Sequence, residues 1–160
     1  RAARSAECDK NLDDAIEQAG KASEWTALSE LGQQTAMATS RLPDVAVVPV
    51  DAIENLQTSA VLSVPAPLVV EIVSSNWRDD YLTKLAEYEA LGIPEYWIVD
   101  YQGLGGTRYI GRPKQPTLSV YALTEGEYQV TRFCQGETVT SPTFPDLELP
   151  VDQVFRAGRG

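Results

Sequence analysis

The chain has 160 residues, 43% hydrophobic and 22% charged, which suits a single folded domain with a buried core. Its formal net charge of −10 argues against a broad basic nucleic-acid footprint, while leaving room for a local basic site or one that binds cations first and phosphates second. There is no histidine, which excludes Ser-His and Cys-His nucleophile pairs and histidine-ligated zinc, and the two cysteines, Cys8 and Cys134, form no CxxC motif.

Along the chain, residues 1–32 are polar and alanine-rich, and two helices are expected there, over Asp9–Ala19 and Ser23–Leu31, with Gly20 between them and Ser23 as an N-cap. Gln33–Ser40 is a strand candidate. The run Asp44-Val45-Ala46-Val47-Val48-Pro49-Val50 predicts a strong strand closed by proline, followed by a short helix capped by Asp51 and reaching about Leu56. Pro67-Leu68-Val69-Val70-Glu71-Ile72-Val73 reads as a strand buried on both faces.

The clearest helix spans Arg78–Leu91, with Tyr81, Leu85, Tyr88 and Leu91 at helical spacing and Gly92 as its C-cap. Glu95–Tyr101 follows as a strand, Gln102–Thr107 as a turn, and Thr117–Leu123 with Glu127–Phe133 as a hairpin about Glu125-Gly126. Leu147–Leu149 and Val151–Phe155 complete the domain. Strand, helix and strand over 67–101 form a βαβ unit, so the fold class is α/β, with a mixed sheet flanked by helices. No apolar run approaches a membrane span and no signal-peptide core is evident, so a cytoplasmic protein with reduced cysteines is expected.

Glu71 is the residue that most needs explaining. A buried carboxylate must be paired, hydrogen-bonded or bound to a metal. Asp44 at the head of one strand and Glu71 in the next can converge on a hard cation such as Mg²⁺ or Mn²⁺, with the Ile72 carbonyl as a third oxygen. Lys84 lies at a similar depth: Glu71 to the strand end is about 10 Å at ~3.3 Å per residue, and Asp79 to Lys84 about 7–8 Å at ~1.5 Å per residue. Each of these residues also has a plain reading, Asp44 as loop punctuation, Glu71 as half of a buried ion pair, Lys84 as a solvated helix residue and Asp80 as a first-turn acid.

The segments RLPDVAVV, PLVVEIVS, RDDYLTKLAEYEALGIPEYWIVDY and FPDLELPVDQVF, in that order, resemble the Uma-type restriction endonucleases of the PD-(D/E)XK nuclease superfamily. The resemblance covers roughly residues 40–156 and implies a restriction-endonuclease-like domain over 33–160, with 1–32 a poorly matched N-terminal helical segment. It implies metal-dependent hydrolysis of nucleic-acid phosphodiesters, DNA above all, with Asp44 and Glu71 as metal carboxylates and Lys84 as the catalytic lysine. Val73 stands where the superfamily usually has that lysine. No motif selects a first-helix acid among Glu17, Glu24 and Glu30.

Two other readings stay open: a nuclease fold retained for oligomerisation, such as a homodimer, or for partner binding, and another Mg²⁺-dependent phosphohydrolase acting on nucleotides. Tyr96 and Trp97 are expected in the core, and Arg108, Arg112 and Lys114 form a modest basic cluster that reads as a solvated loop.

Overall fold

The computed structural model describes residues 2–29, 31–36, 39–54 and 61–159. Among these, six strands form one mixed sheet: β1 (Trp25–Ser29), β4 (Val45–Pro49), β6 (Leu68–Ile72), β7 (Glu95–Asp100), β8 (Thr117–Thr124) and β9 (Glu127–Phe133), side by side in that order. Only β6 and β7 run parallel, from Leu68↔Glu95 to Ile72↔Val99, and the other neighbours are antiparallel. The expected βαβ unit is present.

The central strands are buried at nearly every position because both faces of the sheet are covered. Val45, Val47, Leu68, Val70, Ile72, Trp97 and Val99 point to one core, which is closed by helices α1 (Ala2–Gln18) and α5 (Val151–Arg159). The alternate set, Ala46, Val48, Val69, Val73, Tyr96 and Ile98, packs against the helix that follows β6. Tyr96 and Trp97 are both buried, as expected. Glu71 has the parity of Val69 and Val73, so it belongs to the second face.

Two N-terminal expectations change. The helix expected over Asp9–Ala19 is part of the longer α1, and Ser23–Leu31 contains the strand β1 instead of a helix. The reason lies outside the segment. β1 pairs with β4 from Trp25↔Pro49 to Ser29↔Val45, and the outward-facing N–H groups of Ala27 and Ser29 donate to Asp13 Oδ1 at 2.8 Å and Asp9 Oδ2 at 3.0 Å on α1. Tertiary hydrogen bonds override a local pattern compatible with helix. Burial and the shared hydrogen bond with Asp13 push the Asp9 carboxyl up to about 6.

The strand candidate Gln33–Ser40 resolves into β2 (Gly32–Ala36) and β3 (Thr39–Arg41), an antiparallel pair joined by β5 (Val61–Leu62), which the sequence does not signal. The short helix is α2 (Val50–Glu54); its expected end at Leu56 lies outside the described residues. The Arg78–Leu91 helix opens as a π-helical segment, Asp79–Lys84, and continues as α3 (Leu85–Leu91) to Gly92, whose φ of 87° makes the left-handed C-cap. Beyond the 102–106 turn lies the short α4 (Thr107–Ile110). The expected hairpin is β8–β9, with Glu125 and Gly126 at φ 52° and 82°, the positive pair a type I′ turn requires. Near the C-terminus, β10 (Thr138–Val139) pairs with β11 (Leu149–Pro150), and 151–155 is the first part of α5.

Among the described residues no helix is long and apolar enough to cross a membrane. Both cysteines are free thiols.

α5 docks through Gly158, where an added Cβ would lie 2.5 Å from Tyr101 Cγ. In a helix, Gly→Ala ordinarily gains up to about 1 kcal/mol, but overpacking costs about 1–3 kcal/mol. Gly158→Ala is therefore expected to destabilise the protein, read as a lower urea midpoint; an unchanged or raised midpoint would contradict this packing.

Candidate functional site

The site lies where β4 begins and β6 ends. Their antiparallel register runs Val47↔Leu68, Ala46↔Val69, Val45↔Val70, and its continuation sets Asp44 opposite Glu71. Paired positions share a face of the sheet. The Asp44 side chain turns in at this point. Its Oδ2 accepts from the Ile72 N–H at 2.7 Å, and its Oδ1 accepts from the Ser5 hydroxyl on α1 at 3.3 Å. A carboxylate thus takes the place of a ladder partner just where β4 gives out. Cys8, also on α1, lies close enough to feel this charge: burial pushes its thiol up to about 12, with Asp44 and Asp9 adding to the effect.

Glu71 is fully buried. Its Oε2 accepts from Lys84 Nζ at 3.1 Å and its Oε1 from the Tyr88 hydroxyl at 3.0 Å. Lys84 also donates to Asp80 Oδ1 at 3.0 Å and lies 3.9 Å from Asp79 Oδ2. The π-helical segment explains how one ammonium reaches both neighbouring acids. Its i→i+5 register widens the turn, so that Asp79 and Asp80 both come within range of Lys84. Asp80 is itself anchored through its backbone, where its carbonyl accepts from the Tyr96 hydroxyl at 2.9 Å. At the rim, Arg41 grips Glu87 through Nε and Nη2, at 2.6 and 2.9 Å, and lies 3.6 Å from Asp79.

Burial governs the protonation of this cluster. It pushes the Glu71 carboxyl up to about 8; Lys84 pulls it back only in part, and Asp44 and Asp80 push it further upward. Burial works to lower the Lys84 pKa, but Glu71 and Asp80 outweigh it and the ammonium is held above its ordinary value. The Tyr88 phenol is raised by burial and by Glu71. The neighbourhood thus has more carboxyl groups than ammonium groups to neutralise them, and its most buried carboxyl gains a proton easily.

Asp44, Glu71 and Lys84 therefore occupy one locality, with Glu71 and Lys84 in contact. Ile72 meets Asp44 through its N–H. Of the three glutamates left open for the first helix, Glu17 is exposed on α1, Glu24 lies beyond it and pairs with Lys21 at the surface, and Glu30 is outside the described residues. From α1 it is Ser5 that touches Asp44.

With this geometry in view, the family comparison is direct. Residues 3–152 match the Uma2 family, described as “Putative restriction endonuclease”. The chain belongs to the Uma2 family. At that level it is a nuclease-family protein, and the match includes the N-terminal segment in which no motif was legible. A crystal structure described as a “putative nuclease belonging to DUF820” from Anabaena variabilis ATCC 29413 superposes with a TM-score of 0.69 at 19% identity, covering 97% of this chain and 79% of that one. It shares the fold. No curated protein matches the chain.

For this Uma2 chain, the sequence reading did not assign Tyr88, Ser5 or Arg41 to the site. Tyr88 carried a usable signal, since it lies four residues beyond Lys84 on the same helical stripe. Asp80 and Lys84 carry the same i,i+4 signal.

A group whose folded pKa is raised contributes stability that is complete below its unfolded value and is lost as pH rises through the folded value. For Glu71 that window runs from 4.5 to about 8. In EDTA, the unfolding free energy of wild type relative to Glu71→Gln should fall across this window, as measured by urea titration at several pH values. A difference that does not change with pH would contradict the buried, proton-binding state of Glu71.

Proposed function

We propose that this chain is a metal-dependent endonuclease that hydrolyses nucleic-acid phosphodiester bonds, DNA foremost among them. The observation that carries this reading is the wholly buried Glu71 carboxyl, hydrogen-bonded to Lys84 and set opposite Asp44 at the carboxyl end of β6. Family membership supports the reaction class.

The donor chemistry fits a hard divalent ion. Asp44 and Glu71 offer carboxylate oxygens, and the Ile72 carbonyl would complete the protein's share. Among the described residues no three His, Cys, Asp or Glu side chains are grouped to hold a metal. A Mg²⁺ or Mn²⁺ site of two carboxylates, completed by backbone, water and phosphate oxygens, needs no such group. When bound, the ion would neutralise phosphate charge and acidify a water.

The protein side of the reaction follows from the contacts described. To hold the ion Glu71 would have to give up its proton, so metal uptake would release protons and strengthen as pH rises towards about 8. Lys84, held by Asp80 when Glu71 turns to the ion, would orient the attacking water and stabilise the charge that develops on the phosphoryl oxygens. Tyr88 restricts the Glu71 rotamer, and the Ile72 N–H and Ser5 fix Asp44.

The test combines Mn²⁺ calorimetry with cleavage of duplex DNA, single strands and mononucleotides. Wild type should bind Mn²⁺ and cleave polynucleotide, and Asp44→Asn and Glu71→Gln should lose both. Lys84→Met should keep the metal but lower kcat on the order of 10²–10³-fold, the scale of losing one preorganised charge-stabilising donor. A wild-type protein that neither binds Mn²⁺ nor cleaves would overturn the nuclease reading in favour of a fold retained for partner binding. Turnover of mononucleotides alone would point to a phosphohydrolase.

A further inference from the structure

Beside the site, a second group of side chains has a different character. β6 and β7 are parallel, so the loops after them leave from the same end of the sheet. Asp44 begins β4, which is antiparallel to β6, so it lies at that end too. At the end of the first loop come Trp77 and Arg78, where the next helix starts, and at the end of the second, on α4, Arg108 and Tyr109. Arg78 Cζ lies 4.4 Å from the centre of the Trp77 ring, and Arg108 Cζ 6.0 Å from that of Tyr109.

The two aromatic residues form one shelf. Trp77 and Tyr109 have their centroids 6.1 Å apart, and Tyr109 stacks on the buried Tyr81 at 4.9 Å and 20°. The loop backbone comes up beneath the indole at Gly106, where an added Cβ would lie 3.1 Å from Trp77 Cη2. The rings are therefore fixed from below, and the guanidinium groups rest on a rigid support.

The charges on this shelf are uncommitted. Arg41 spends its guanidinium on Glu87 and Asp79. Among the described residues, by contrast, neither Arg78 nor Arg108 is within ion-pairing distance of a carboxylate. Arg132 of β9 adds a third guanidinium, donating to the Arg108 carbonyl at 3.3 Å. In a chain of net charge −10, residues 101–124 contain Arg108, Arg112 and Lys114 and no Asp or Glu. Preorganised arginines braced on aromatic faces are suited to phosphate groups, because the planar fork loses little freedom on binding.

We propose that Arg78 and Arg108, braced on Trp77 and Tyr109, bind the phosphodiester backbone of the nucleic-acid strand that runs through the Asp44–Glu71–Lys84 site. This rests on the nuclease reading and extends it to substrate positioning. The shelf offsets locally the repulsion between an acidic protein and a polyanion, so its loss should appear in binding and not in the chemical step.

The test is fluorescence anisotropy of a labelled DNA oligonucleotide, duplex and single-stranded, with Ca²⁺ in place of Mg²⁺ over a series of NaCl concentrations, alongside cleavage kinetics with Mn²⁺. Arg78→Ala/Arg108→Ala is compared with wild type and with Lys21→Ala, which removes one positive charge at an exposed pair away from the shelf. Each phosphate contact contributes about 0.7–0.9 to the slope of log K against log salt, so the double variant should flatten it by roughly 1.5. KM should rise on the order of tenfold, kcat should stay within about threefold, and Lys21→Ala should behave as wild type. Wild-type slope and KM in the double variant, while wild type cleaves, would overturn the shelf and leave the nuclease reading intact. If wild type does not cleave, the nuclease reading falls; DNA binding that still depends on Arg78 and Arg108 would support the shelf, and no binding would overturn it as well.

Discussion

The candidate site depends on a carboxyl group placed where water cannot reach it. Glu71 lies near the carboxyl end of a five-residue strand with no exposed position, and a charge there is tolerable only beside donors. Lys84 and Tyr88 supply them, and both come from the helix that packs over the second face of the sheet. That requirement fixes the rotation of the helix about its axis and its height along β6. It also constrains the helix itself, since Lys84 serves Asp80 and approaches Asp79 as well, an arrangement the π-helical register accommodates.

Val73 illustrates the alternative the chain does not use. It shares Glu71's face, is buried with Tyr81 and Tyr88, and its N–H continues the ladder to Val99. A lysine there would bring an ammonium into the apolar end of β6. In this chain the strand end stays hydrophobic and the ammonium reaches Glu71 from the helix. The same cluster contains Asp44, so it holds more acid than base, the electrostatic condition under which a divalent cation is welcome.

Much of the fold was legible in the sequence where burial on both sides forces a largely apolar run, as in β4, β6 and β7, or where a backbone conformation demands a particular residue, as at Gly92 and Gly126. β1 was not legible. Its identity as a strand comes from β4 on one side and from Asp9 and Asp13 on the other, contacts that no local window contains. The two-residue strands β5 and β10 are too short to show a period. Within the site, the order of Asp44, Glu71 and Lys84 was readable because strand alternation and helix rise already set their depth. The hold of Arg41 on Glu87 was not, because it depends on how the β2–β3 pair lies beside α3.

The carboxylates of Asp9 and Asp13 also shape how the molecule can meet others. The rim of a sheet is a template on which a foreign strand can assemble. On the β1 rim, the N–H groups of Ala27 and Ser29 are already bonded, and to acids that would repel the carbonyl oxygens of an incoming strand. Growth of the sheet by a foreign strand is therefore opposed at that margin.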